Sequence, residues 1–402
     1  MDISKRVGIF AIIGALLIRL GCSSLPQTRI SNTSYGAEAV KPFVDSGELP
    51  GAITVFYNNG IQENTVLGWA DRDKKIPMGM DKLFMQCSQT KGFCGVTVAI
   101  LIEEGKLSLD DPVSKYLPEF KELKVKTTTA DGKTAIVPAE NVLTLRMALN
   151  HTGGFAFEIP SKTKNGLTTV SLRDTAREAA ATPLLFEPGT KVKYSDTGID
   201  IAAAVTEVVT GKPWEVFLKE RVLDPLEMFD TTFKPTDEQL KRAMALYIVA
   251  KGKKAKYRPS HPAFPQPYNG DNVHPSAGGG LWTTANDQLK FYKMLMNLGK
   301  GENNKRILQE ETVKNLLAVN SRPPQMGNYS LGLKVGKDDW FGHGGAWGTA
   351  CWVNWKNRQL RMLIVQVNGN RPWQAKWNKA SEKFFATSID SKSADAYTGR
   401  IQ

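Results

Sequence analysis

Hydrophobic positions along the chain follow two periods. Ala52-Ile53-Thr54-Val55-Phe56-Tyr57 is rich in β-branched and aromatic residues, Asn58-Asn59-Gly60 is a hairpin signal, and Thr65-Val66-Leu67-Gly68-Trp69 follows in the same style. Two strands alone make no stable sheet, so their partners must come from elsewhere. The pattern becomes strand-like again only near the C-terminus, at 329–335, 340–342, 349–355 and 360–367. Helical spacing dominates between and beyond these segments. It predicts helices over 37–45, 113–117, 145–150, 171–181, 199–209, 284–297, 306–318 and 373–385, with a small surface hairpin centred on Asp131-Gly132. Lys251 to Pro275 reads as a long exposed loop.

One segment, Phe84 to Gly105, is apolar nearly all round. Val96, Val98, Ile100, Leu101 and Ile102 leave it no polar stripe, and Glu103, Glu104 and Gly105 mark its end, so it predicts a buried helix. At its start, Ser88 and Lys91 stand three residues apart, hence one turn apart on one face. A serine hydroxyl is a weak nucleophile until a base takes its proton, and burial of a lysine favours the neutral amine that can do so. The helix N-terminus adds partial positive charge, and the Ser88 N–H is a candidate oxyanion donor. Ser-x-x-Lys is a cheap pattern by itself: Ser161-Lys162-Thr163-Lys164 repeats it in a polar stretch that reads as a solvated loop.

Two further clusters carry candidate chemistry. Pro188-Gly189 through Tyr194-Ser195-Asp196 delivers a tyrosine to the mouth of the 199–209 helix, where a neighbouring ammonium would lower its pKa and fit it for proton transfer. Gly342-His343-Gly344-Gly345-Ala346 lies at a strand entrance, where glycines let a substrate approach the backbone and free N–H groups can bind an oxyanion. His151, in His151-Thr152-Gly153-Gly154, reads as a helix-end or turn histidine, and Ser276-Ala277-Gly278-Gly279-Gly280 as a backbone-permissive turn.

The 402 residues carry a formal charge of +12. Lys5 and Arg6 precede an apolar stretch from Val7 to Leu20, which reads as a secretory signal over residues 1–21. It ends in Leu20-Gly21-Cys22, similar to a bacterial lipoprotein cleavage site with Cys22 as the lipidated residue, although Arg19 stands where an aliphatic residue is usual. Loss of residues 1–21 removes three cations and one anion and leaves +10. The expected location is therefore the periplasm or a lipid anchor in the envelope. A basic surface suits anionic envelope polymers, or serves solubility alone; no nucleic-acid motif accompanies it. Cys87 and Cys94 are two helical turns apart, too far for a disulfide, and the scattered histidines suggest neither a metal site nor a cofactor.

Taken in order, Ser88-x-x-Lys91, Leu107-Ser108-Leu109-Asp110-Asp111-Pro112, His151-Thr152-Gly153-Gly154, Tyr194-Ser195-Asp196, Ser276-Ala277-Gly278-Gly279 and His343-Gly344-Gly345 resemble the serine β-lactamase and penicillin-binding-protein superfamily, near its class C β-lactamases, D-alanyl-D-alanine peptidases and related esterases. The resemblance implies an α+β fold: an antiparallel sheet flanked by helices (about 36–86 and 325–388) and an all-helical lobe (about 87–324). A polar tether over 22–35 and a disordered tail over 389–402 would flank this domain. It also implies an acyl-enzyme on Ser88, proton transfer by Lys91 and Tyr194, an oxyanion site from the N–H groups of Ser88 and Ala346, and substrate contacts from Asp196, His343, Gly344 and Gly345.

Two positions depart from the family pattern. Asp196 stands where an asparagine is usual, and Gly344 replaces a threonine hydroxyl that would meet a substrate carboxylate. The implied activity is cleavage of a small ester, amide or peptide with weak or no β-lactam turnover. A cell-wall D-alanyl-D-alanine carboxypeptidase and an inactive envelope protein that holds peptidoglycan are the alternatives.

Overall fold

The computed structural model describes residues 27–30, 34–157, 170–258, 274–317, 328–336 and 338–386, with only the backbone of 27–30, 316 and 317. The expected signal segment, Cys22, the second Ser-x-x-Lys copy and the expected tail lie outside these residues.

Strands β1 (Gln27–Ile30), β2 (Gly51–Asn58) and β3 (Ile61–Asp71) join β4 (Tyr329–Ser330), β5 (Leu333–Val335), β6 (Trp340–Gly344), β7 (Ala350–Asn354) and β8 (Gln359–Ile364) in one sheet. The order is β1-β3-β2-β8-β7-β6-β5-β4, with Ile76–Pro77 as a short ninth strand on β3. Neighbours run antiparallel except β1, which pairs parallel with β3. The partners that the first hairpin lacks are thus C-terminal: β2 pairs with β8 from Ile53↔Ile364 to Asn58↔Gln359. Two readings change. Part of the expected tether is strand β1, laid on the open edge of β3, and the expected strand over 329–335 is two strands around a turn with Leu331 at φ 44° and Gly332 at φ 76°.

Because β2 is buried on both faces, its apolar residues run without interruption. Ala52 and Phe56 pack with α1 (Tyr35–Asp45) and with the C-terminal helix Trp373–Ala386, through Val40, Phe43, Trp373 and Trp377. Ile53, Val55 and Tyr57 face the opposite core, which holds α2 (Thr90–Glu103). The helical part of the chain contributes α3 (Leu145–Leu149), α4 (Leu172–Ala181), α5 (Asp196–Thr210) and α6 (Ala285–Met296). The result is a mixed α+β fold with a large, mainly antiparallel sheet flanked by helices.

Helix α2 lies between sheet and helices and is buried from Thr90 to Leu101. Phe93 stacks on Phe291 of α6 at 3.7 Å between centroids, and Trp214 donates to Thr97 at 3.0 Å. Close approach of the β4–β5 turn demands glycine on α2. A Cβ on Gly95 would fall 1.8 Å from the Leu331 carbonyl oxygen, and one on Gly92 would fall 2.7 Å from Leu333.

Candidate active site

The segment before α2 is not helical from Phe84, as its apolar run suggests. Phe84–Met85 pairs with Trp282–Thr283, Cys87 takes φ 52°, and Cys87–Gln89 forms a 3₁₀ turn that feeds α2. Ser88 therefore sits on a tight turn ahead of the helix and is partly exposed, while Lys91 on the first turn of α2 is fully buried. Thr90 ties the turn down, donating to the Cys87 carbonyl at 2.7 Å and accepting from the Leu281 N–H at 3.2 Å.

Lys91 Nζ donates to Asp196 Oδ1 at 2.5 Å and to the Gly278 carbonyl at 2.6 Å, and lies 4.6 Å from the centre of the Tyr194 ring. Segments around residues 91, 194–196 and 278 thus meet at one amine. Burial by itself depresses the Lys91 pKa, but the Asp196 carboxylate and Tyr194 outweigh it and hold the ammonium form above the usual lysine range. Burial raises the Asp196 pKa, and Lys91 opposes the rise only in part. Asp196 therefore places a carboxylate directly on the lysine.

Tyr194 reaches this point because Ser195 caps α5: its side chain accepts from the Gly198 N–H at 3.3 Å and donates to the Ala156 carbonyl at 2.7 Å. Burial raises the Tyr194 pKa; the Lys91 ammonium opposes this, Asp196 adds to it, and Ser88 is near enough to lower it further. No hydrogen bond to the buried Tyr194 hydroxyl reaches full geometry.

The Gly345 turn packs directly on the segment that carries Ser88. A Cβ there would meet Thr349 Oγ1 at 2.1 Å and the Gln86 carbonyl at 2.5 Å, with Cys87 Cβ at 3.3 Å. Burial raises the Cys87 thiol to about 12, against the pull of the Trp347 and Ala346 N–H groups that lie beside its sulfur. Arg371 donates to the Ala346 carbonyl and fixes the turn from its outer side. Gly344 meets nothing nearer than the Thr349 carbonyl, 3.5 Å from a notional Cβ, and leaves the missing threonine's space open.

Two neutral histidines line the same region. His151 takes φ 66° in its turn, as the turn reading requires, yet its ring centre lies 4.6 Å from that of Tyr194 and 4.5 Å from that of Tyr329. The Ser195 N–H donates to its Nδ1 at 3.3 Å, so the neutral ring carries its proton on Nε2. His343 has the opposite tautomer, since its Nδ1 donates to the Gly344 carbonyl at 2.6 Å. Burial, reinforced by Lys91, lowers the pKa of His151 to about 2 and that of His343 to about 3. Both Nε2 atoms are buried without a partner.

The structure brings Ser88, Lys91, Tyr194, Asp196, His343 and the Gly344–Ala346 turn into one neighbourhood. Sequence reasoning missed Tyr329 and the Gly278 carbonyl; the glycine-rich turn after Pro275 was the available signal for the latter. Among the described residues, no group of three or more His, Cys, Asp or Glu is arranged to hold a metal ion, and no helix is long and apolar enough to cross a membrane.

A sheet flanked by helices with these segments joined at its centre defines the β-lactamase/transpeptidase class of fold. The family described as Beta-lactamase matches residues 37–380, and the chain belongs to that family. Protein Rv1367c of Mycobacterium tuberculosis is 29% identical over 320 residues, 78% of this chain and 77% of its own length. Among solved structures, EstCE1, described as a hydrolase with promiscuous acyltransferase activity, superposes with TM-score 0.69 at 22% identity, covering 86% of this chain and 97% of that one. The unliganded Simvastatin Synthase (LovD) from Aspergillus terreus gives TM-score 0.72 at 18% identity, covering 87% and 98%. At these identities the two structures speak for the fold alone.

Proposed function

We propose that the protein is a serine hydrolase that cleaves small esters or amides through an acyl-enzyme on Ser88. The observation that carries the reading is the convergence on Lys91: its Nζ holds Asp196 and Gly278 at 2.5 and 2.6 Å beneath the Tyr194 ring, one turn from a partly exposed serine. Ser88 Oγ attacks the acyl carbonyl carbon. Its proton passes to Tyr194 in its phenolate form, which the Lys91 ammonium, itself held by Asp196, stabilises; burial raises the Tyr194 pKa, so this form and the activity grow as the pH rises. The N–H groups of Ser88 and Ala346 receive the oxyanion, Tyr194 returns the proton to the leaving group, and water then attacks the acyl-enzyme to release the acid and restore Ser88.

Asp196, His343, Gly344 and Gly345 form the substrate wall. Beside the Asp196 carboxylate it offers the neutral His343 ring and open backbone where a threonine hydroxyl would bind a carboxylate, which supports turnover of uncharged acyl groups over β-lactams. We place this chemistry in the bacterial envelope on the strength of the Lys5–Leu20 segment and Cys22. A D-alanyl-D-alanine carboxypeptidase uses the same acyl-enzyme, but its substrate carboxylate meets no hydroxyl at Gly344.

Intact-mass measurement after treatment with a fluorophosphonate, beside a panel of acyl esters, D-amino-acid amides, muropeptides and penicillins, tests the reading. One adduct that disappears in Ser88→Ala, with ester turnover exceeding β-lactam turnover, is expected. An adduct that survives Ser88→Ala rejects the mechanism, and D-alanine release without ester cleavage rejects the substrate class.

A further inference from the structure

The chain leaves β8 at Ile364 and bends at Gln366, whose φ of 48° lies in the left-handed region that residues other than glycine seldom enter. The bend is wholly buried from Val365 to Val367. Beyond it, Val367–Gly369 pairs with Tyr247–Val249, and the Gln366 carbonyl accepts from the Tyr247 N–H at 3.1 Å. The Gln366 side chain goes instead to the segment that carries Ser88. Its Nε2 donates to the Met85 carbonyl at 3.0 Å, and its Oε1 accepts from the Met85 N–H at 3.3 Å.

The same bend supports the Gly345 turn. The Val367 N–H donates to the Trp347 carbonyl at 2.8 Å, and a Cβ on Gly348 would lie 2.5 Å from Val365 Cγ2 and 2.9 Å from the Val367 carbonyl oxygen. A second tie starts from the far end of the turn. The Thr349 carbonyl accepts from the Gly345 N–H at 2.7 Å, while Thr349 Oγ1 donates to the Gln86 carbonyl at 3.3 Å. The two N–H groups that receive the oxyanion thus stand on separate segments, Ser88 three residues past Met85 and Ala346 one residue before Trp347. Residues 366 and 367 grip one segment each.

We propose that Gln366, together with the Thr349 hydroxyl, is a positioning residue for the oxyanion site: it clamps the Met85 backbone to the Gly345 turn and so sets the spacing between the Ser88 and Ala346 N–H groups. The inference rests on the reading of Ser88 as the nucleophile. A primary amide offers a donor and an acceptor side by side, which matches the C=O and N–H of one extended residue. A carboxylate lacks the donor, and an aliphatic chain lacks both. Non-glycine backbone at positive φ costs free energy and persists where its surroundings hold it, and here it occurs on both sides of the clamp, at Gln366 and at Cys87. Tetrahedral intermediates need both N–H groups at once, whereas a ground-state ester does not, so the clamp acts on kcat more than on KM.

Ester kinetics per fluorophosphonate-titrated site, beside inhibition by phenylboronic acid, test the proposal. The boronate forms a tetrahedral adduct on Ser88 and reports the oxyanion site without turnover. Gln366→Met, which keeps the length and removes both hydrogen bonds, should lower kcat about ten-fold, leave KM within about two-fold, and weaken the boronate about ten-fold. Thr349→Val, which removes one hydroxyl and keeps the shape, should show the same signature at about three-fold. It decides the matter should Gln366→Met fail to fold, as judged by circular dichroism. A folded variant with the wild-type kcat, a loss confined to KM, or a lowered kcat with undiminished boronate binding overturns the proposal. Failure of the hydrolase reading looks different: the wild type itself then takes up no phosphonate and cleaves no ester, before any variant is compared.

Discussion

The two ends of the buried segment that carries Ser88 are built on opposite principles. From Phe93 to Leu101, α2 is an apolar rod in close contact with its neighbours, and burial of each large side chain contributes roughly 1.5–3 kcal/mol. Its N-terminal end buries a lysine, bends Cys87 to φ 52°, and gathers the unpartnered Nε2 atoms of His151 and His343 and the Tyr194 hydroxyl. Such features cost free energy and persist only where the surrounding structure holds them. The difference teaches where to look: stability resides in the body of the helix, and the candidate chemistry at the end that burial alone would not have built.

Substitutions should separate the two ends. Ser88→Ala is expected to lower ester turnover by about 10⁴-fold or more, without moving the thermal midpoint. Lys91→Met should also abolish turnover and, by leaving Asp196 buried and unpaired, destabilise the fold by about 3–5 kcal/mol in urea titration. The double variant Lys91→Met with Asp196→Leu should recover most of that stability and none of the activity. Equal stability of the single and double variants would show that the pair is not coupled.

In the helix body the expected signs reverse. Gly95→Ala places a methyl on the Leu331 carbonyl and should cost about 1–3 kcal/mol, with turnover per folded molecule little changed. The histidine wall can be probed by acid. His151 and His343 are held neutral to about 2 and about 3, below the roughly 6.5 of an unfolded histidine. Their contribution is complete above pH 6.5. It is lost as pH falls from there toward 3, because the unfolded chain binds protons that the native site refuses. Each accounts for up to about 1.4 kcal/mol per pH unit. The difference in urea midpoint between wild type and His343→Gln, measured at pH 7, 6 and 5, should therefore shrink as the pH drops.

The smallest effect sharpens the comparison most. Asp196→Asn removes the charge that holds Lys91 as an ammonium and that adds to the Tyr194 pKa. The alkaline rise in kcat/KM of an ester should move to lower pH in this variant. A profile that stays in place would exclude Asp196 as the group that sets the protonation of the site.

Much of this organisation was legible before any coordinates. β2, β3 and the turn between them follow from β-branched content and Asn59-Gly60, and α2 from an unbroken apolar run, because local sterics and burial leave period-2 and period-3.6 traces. The order of the short motifs pointed to Ser88, Lys91, Tyr194 and His343. What the chain did not reveal are contacts with no sequence period. Met85 and Gln366 are separated by 281 residues, and Lys91 and Gly278 by 187. The Gly278 acceptor is a backbone carbonyl, which every residue possesses and no side-chain letter records.

The sequence by itself determined which residues could carry chemistry and which segments had to be strand or helix, since propensity, spacing and burial act over a few neighbours at a time. Only the tertiary structure decided that Asp196 seizes Lys91, that Ser88 stands on a 3₁₀ turn rather than on the helix, and which nitrogen of His151 and of His343 bears the proton. Those outcomes depend on which oxygen or amide lies within about 3 Å, and that distance is set only when segments remote in the chain are packed against one another.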